Sequence, residues 1–154
     1  MLAGVAILLS LSAAALAAPP AAPQLAGPSL HTGKRLSLSS FAGRPVVVNL
    51  WASWCGGCIY EAPTLSRFSR EHPRVAMLGV NTMDSKASAR AFTRRHGLSF
   101  PSIFDPHGRL FARLRSPGLP ATFFLDRRHR IVLGIPGALT QAQLEAGLRA
   151  ARSS

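Results

Sequence analysis

The sequence predicts an α/β sandwich with a mixed sheet. Three observations carry this: two uncharged, β-branched runs, a helical apolar pattern after each, and a hairpin followed by one last helix. Residues 45–51 (Pro-Val-Val-Val-Asn-Leu-Trp) and 75–81 (Val-Ala-Met-Leu-Gly-Val-Asn) have no polar alternation, so each reads as a strand buried on both faces.

Residues 1–18 are Leu, Ala, Ile, Val, Gly, Met and Ser with no charge. The stiff linker Pro19-Pro20-Ala21-Ala22-Pro23 follows. The apolar stretch ends in small residues, with Ala15-Leu16-Ala17 as a cleavage-site pattern, which is signal-peptide-like although a basic start is missing. Its length also falls in the range that spans a bilayer. Residues 1–23 are therefore expected to be a signal peptide or membrane anchor plus linker, and residues 24–154 one domain outside the cytoplasm. Leu36 to Phe41 adds a short strand or turn, and Gly43-Arg44-Pro45 punctuates the entry to the first buried strand. Ile59, Ala62, Leu65 and Phe68 recur at helical spacing. Ser85 opens a second helix through Arg95 that stops at His96-Gly97. Pro101 to Phe104 is a short segment before the turn Asp105-Pro106-His107-Gly108. Ala121 to Leu125 and Ile131 to Ile135 flank Asp126–Arg130 as an antiparallel hairpin. Thr140 with Gln143 caps a final helix to about Ala150. No internal repeat and no second domain is visible.

At 154 residues and 47% apolar, the chain can bury one substantial core. Its formal charge of +12 is spread over Arg67, Arg70, Arg94, Arg95, Arg113, Arg127, Arg128 and others, with no basic helix or aromatic-interleaved groove. That argues against nucleic acid as a partner. Positive potential of this kind attracts acidic partners or anionic lipid surfaces.

Chemistry concentrates in Trp54-Cys55-Gly56-Gly57-Cys58, which holds both cysteines of the chain at the spacing that lets one sulfur attack what the other has released. Such a dithiol carries electrons. It sits where a strand turns into a helix, where unpaired N–H groups and the helix dipole favour a thiolate on the first sulfur. A closed zinc site needs four ligands. No second cysteine pair exists, and His31, His72, His96, His107 and His129 are scattered as expected surface or turn residues, so neither metal nor other cofactor is predicted.

At these residues the chain resembles the thioredoxin superfamily, and within it the TlpA/ResA-like extracytoplasmic thiol-disulfide oxidoreductases. Val47 to Cys58 is similar to that branch's strand and active-site turn, Cys58 to Pro63 to its helix start, and Gly118 to Asp126 to its cis-proline loop and following strand. The resemblance runs from about Leu30 to Ala150. It implies a three-layer sandwich, a mixed central sheet with flanking helices. Cys55, first in the turn and nearest solvent, is the expected nucleophile, and Cys58 resolves the mixed disulfide. Glu61, three residues past Cys58, is implied to serve that sulfur's proton. Pro120 matches the cis-proline facing the dithiol, Leu119 offers its backbone to an extended client chain, and Trp54 flanks the turn.

Two departures stand out. Asn49 replaces the buried aspartate of cytoplasmic thioredoxins, in agreement with the TlpA/ResA-like branch. Gly57 stands where the family most often has proline, and its N–H is expected to reach the Cys55 sulfur.

The expected function is reduction of disulfides in specific client proteins, of the cytochrome c maturation or metal-site assembly type. A membrane thiol-electron donor is the implied partner, and membrane anchoring is compatible with the N-terminus. The alternatives are a disulfide-inserting oxidase, and a copper chaperone that binds through Cys55 and Cys58 without turnover.

Overall fold

The structure is a computed structural model and describes residues 17–154. The expected signal or anchor falls mostly on residues 1–16, outside the described residues. Among the described residues no helix is long and apolar enough to cross a membrane.

Among the described residues seven strands and four α-helices follow in the order β1 (Ala26–Pro28), β2 (Arg35–Ser37), β3 (Val46–Trp51), α1 (Gly56–Glu71), β4 (Ala76–Thr82), α2 (Lys86–His96), β5 (Ser102–Asp105), α3 (Arg109–Leu114), β6 (Ala121–Leu125), β7 (Ile131–Pro136) and α4 (Gln141–Ser153). The main sheet has the order β5-β4-β3-β6-β7, parallel among β3, β4 and β5 and antiparallel from β3 through β6 to β7. β1 and β2 pair as a separate ribbon. All six residues of β3 are buried, as its uncharged run requires.

Strand periodicity divides the core in two. Val47 and Trp51 pack with Met77 and Phe124 against Ala62, Leu65 and Phe68 of α1, Phe92 of α2 and Leu144 and Leu148 of α4. Val46, Val48 and Leu50 face the other way, with Leu78 and Val80, onto Leu110 and Leu114 of α3 and onto Leu25 and Leu38 of the N-terminal segment. The result is the three-layer thioredoxin-like sandwich. Asn49, between Val47 and Trp51, therefore points to the α1 side.

Caps fall where the sequence puts them. Ser85 Oγ accepts from Ser88 N–H at 3.0 Å, Gly97 closes α2 in the left-handed region, and Thr140 and Gln143 form a full capping box. The structure refines the reading of Leu36–Phe41, adds one helix, and corrects the readings of Ile59 and of three histidines. The expected strand or turn over Leu36–Phe41 divides into β2 and a 3-10 turn, Leu38–Phe41, whose N-cap is Ser37. A short helix, α3, follows Gly108 without an apolar repeat long enough to announce it. Asp105 draws it out, accepting from the N–H groups of Arg109, Leu110 and Phe111 at 2.9, 3.0 and 3.2 Å. Ile59 lies in the apolar spacing of α1 yet is exposed. Three of the histidines are half-buried: His72 packs on Phe68, His96 on Phe92, and His129 bonds the Phe41 carbonyl.

Candidate active site

β3 ends at Trp51, and four residues later Cys55 is the N-cap of α1. Its sulfur accepts from Cys58 N–H at 3.2 Å. This corrects the expectation for Gly57: the donor is the third N–H of the helix, not the second. Cys55 and Cys58 are joined in a disulfide with Cα atoms 5.2 Å apart. Both are buried, Cys55 at 5% exposure and Cys58 at 2%, so the first residue of the pair is the more exposed by a small margin.

Gly57 has a different structural reason. The Leu119–Pro120 bond is cis, and a Cβ on Gly57 would lie 2.8 Å from Pro120 Cδ. Only a residue without a side chain lets the proline ring sit this close to the dithiol turn. Leu119 is half-buried, and among the described residues nothing in the protein hydrogen-bonds to its backbone, whereas the Pro120 carbonyl accepts from Gly137 N–H at 2.8 Å.

One helical turn below Cys58, Glu61 is 1% exposed. Asn49 Nδ2 donates to its Oε1 at 2.9 Å and Leu139 N–H to its Oε2 at 3.1 Å. Burial raises its pKa from 4.5 to about 7, against the two hydrogen bonds, which pull it down. A carboxyl with that pKa can take or give a proton near neutral pH. The Asn49 amide also donates to Thr122 Oγ1 at 3.0 Å, which ties β3, α1 and β6 together.

The rim is apolar and exposed. Trp54 is 60% exposed with its indole N–H on the Met83 carbonyl at 2.8 Å, and Tyr60 is 81% exposed. Asp84, which the sequence reading did not single out, accepts from Ser53 N–H at 2.7 Å and Ser53 Oγ at 2.8 Å, from Asn81 Nδ2 at 2.9 Å and from Ser85 N–H at 2.8 Å. It fastens the approach to Cys55 onto the β4–α2 turn. Its only local sequence signal is its place before the N-cap Ser85. Among the described residues no group of three or more His, Cys, Asp or Glu comes together as a metal site.

The site thus joins Cys55, Cys58, Glu61 and Pro120 around one turn, with Trp54 and Leu119 beside it. Residues 20–133 match the model of the AhpC/TSA family. The chain belongs to that family. The thiol-disulfide oxidoreductase ResA of Geobacillus kaustophilus (strain HTA426) is 30% identical over 118 residues, covering 75% of this chain and 68% of the relative. A DsbF homologue from Corynebacterium diphtheriae superposes with a TM-score of 0.77 at 28% identity, covering 85% of each chain. A secreted thiol-disulfide isomerase from Corynebacterium glutamicum gives 0.75 at 31% identity over 84% of each. By fold, relatives and cysteine pair, the chain is a thiol-disulfide oxidoreductase.

Proposed function

We propose that the protein reduces disulfides of polypeptide clients outside the cytoplasm and is reset by a membrane thiol-electron donor. The observation that carries a polypeptide client is the unbonded Leu119 backbone next to cis-Pro120, because an extended chain adds there in strand fashion beside the dithiol. Trp54 and Tyr60 offer that chain apolar contact. The uncharged N-terminal stretch and the secreted relative support the compartment.

In the forward cycle the Cys55 thiolate attacks one client sulfur. A Cys55–client bond forms and the other client sulfur leaves as a thiolate. Glu61 accepts the Cys58 proton, Cys58 attacks the Cys55 sulfur, and the second client thiolate departs. Two electrons have passed to the client, and the protein is left with the Cys55–Cys58 disulfide. Glu61 serves the reverse cycle equally, so direction rests on the donor and on the reduction potential. The client itself is of the cytochrome c or metal-site assembly type in this reading.

Serine replacements test the roles. Cys58→Ser should accumulate client–Cys55 adducts on non-reducing gels and Cys55→Ser should accumulate none; the opposite pattern reverses the assignment. Equilibration with glutathione decides direction, since a potential as oxidising as that of a disulfide-inserting enzyme would favour the oxidase reading. Tight copper with no disulfide exchange would favour the chaperone.

A further inference from the structure

At the end of the sheet opposite the dithiol, Arg44, Arg74, Arg127 and Arg152 line one cavity of about 160 Å³ together with Gly43 and Leu148. The four are far apart in sequence, and the register explains why they meet. Val46 opens β3, pairing with Ala76 at the start of β4 and with Leu125 at the end of β6. Residues just outside these strand ends, 44, 74 and 127, therefore share one pole, and α4 reaches it with its last turn. Cys55 lies beyond the other end of β3, about 20 Å away along six residues of strand.

No carboxylate lines this cavity. The ion pair found among the described residues joins Arg130 to Asp126 and uses none of the four. Of the six acids in the chain, Glu61, Asp84, Asp105 and Asp126 accept hydrogen bonds elsewhere, Glu145 accepts from Gln141, and Glu71, at the end of α1, forms no ion pair among the described residues. Arg44 is fixed in place by donating to the Arg74 carbonyl at 3.0 Å. Arg127 stands on a turn held by Asp126, which accepts from the N–H groups of Arg128 and Arg130. Four exposed arginines around one opening, none of them in an ion pair, make a positive field that attracts an anion.

We propose that this cavity binds a phosphate group, matched by guanidinium forks in the way such anions are recognised elsewhere. Residues 20–22 also pass this pole, beside the β6–β7 hairpin. Ile131 N–H donates to the Pro20 carbonyl and Ala22 N–H to the His129 carbonyl, both at 2.8 Å. Phosphate of an anionic lipid at this pole would leave the dithiol facing away from the membrane, toward clients. This orientation rests on the extracytoplasmic reading above; the binding site itself does not.

The test uses the full chain and two probes. Flotation measures binding to vesicles of phosphatidylcholine with and without phosphatidylglycerol. Serine at Arg44, Arg74, Arg127 and Arg152 together should lower affinity for the phosphatidylglycerol vesicles by roughly two to three orders of magnitude, about fivefold per arginine. Affinity for phosphatidylcholine alone, to which the apolar N-terminus contributes, should not change. Serine at Arg67, Arg94, Arg95 and Arg109 is the charge-matched control and should lose much less. In the second arm, inorganic phosphate at constant ionic strength should raise the Tm of the parent and not of the cavity variant. A cavity-specific loss with vesicles assigns lipid phosphate, and a cavity-specific loss confined to inorganic phosphate assigns the free anion. Equal losses in both quadruple variants, or none in either arm, overturn the site. Disulfide reduction in solution is measured in parallel and should be unchanged in the cavity variant, which separates this result from any failure of the redox reading.

Discussion

Asn49 Nδ2 donates to Glu61 Oε1 at 2.9 Å, from the centre of the sheet to the first turns of the helix that carries the dithiol. An aspartate at 49 would place a second acid against the first; the amide leaves Glu61 as the single titrating group there and donates to its charged form. The Asn49 Oδ1 atom is buried without a partner. A half-turn of the amide would offer that oxygen to a neutral Glu61, whose O–H needs an acceptor. The pair can thus accommodate both protonation states that proton transfer with Cys58 requires.

Stability should carry the mark of this carboxyl. Its folded pKa of about 7 lies above the ordinary 4.5, so the native state holds an extra proton between those values. The associated stability is fully present below pH 4.5 and is lost as pH rises through about 7. The difference corresponds to about 3 kcal/mol. Urea unfolding at pH 5 and pH 8 should show this loss in the parent and a flatter profile in Glu61→Gln. Identical profiles would mean the carboxyl titrates normally. In rapid mixing, the same variant should slow resolution of the mixed disulfide by about 10²-fold and leave its formation unchanged.

Gly57→Ala should push the Pro120 ring away from the dithiol turn, because its Cβ would stand 2.8 Å from Pro120 Cδ. Overpacking of this kind costs about 1–3 kcal/mol. Reduction of a protein disulfide should fall more than reduction of a small one such as hydroxyethyl disulfide, since only the former uses the cis-proline loop. Equal effects on both substrates would show that the loop does not take part in client binding.

The parts of this site written in continuous segments were legible in the sequence. Cys55, Cys58 and Glu61 follow one another on a helix start that an uncharged strand announces, and Gly118 to Asp126 carries its own pattern. What remained hidden joins distant residues. Leu139 N–H reaches Glu61 across 78 positions and Ser53 reaches Asp84 across 31. Helical spacing names a face without saying what covers it, so Ile59 looked like core and is exposed. The four arginines of the far cavity looked like scattered surface charge because strand register, not sequence proximity, assembles them.

Asp105→Ala should loosen α3 and little else. The carboxylate receives three N–H groups of the first turn and the Thr82 hydroxyl at 3.1 Å, while Gly108 at the N-cap supplies no side chain. Losing a cap of this kind costs roughly 1–2 kcal/mol. Hydrogen exchange should quicken over residues 109–114, with the rate of Cys55 attack unchanged, because α3 packs on the opposite face from α1. A slowed attack would show that the two faces are coupled through the sheet.

Asp84 should matter to the chemistry although it touches neither sulfur. It accepts both the N–H and the hydroxyl of Ser53, and the next residue, Trp54, is held by the adjacent Met83 carbonyl. The two residues that lead into Cys55 are therefore fixed to the β4–α2 turn. Asp84→Ala removes four accepted hydrogen bonds at once and should destabilise by about 2–4 kcal/mol. At a temperature where the variant is still folded, attack by Cys55 on a protein disulfide should slow by at least tenfold, because small misplacements of reacting groups are costly. Ser53→Ala separates position from stability: it deletes only the hydroxyl bond and leaves the N–H bond to Asp84, so its rate should stay close to that of the parent. If Asp84→Ala attacks as fast as the parent while losing the expected stability, the contact is a fold contact and the turn holds its shape without it.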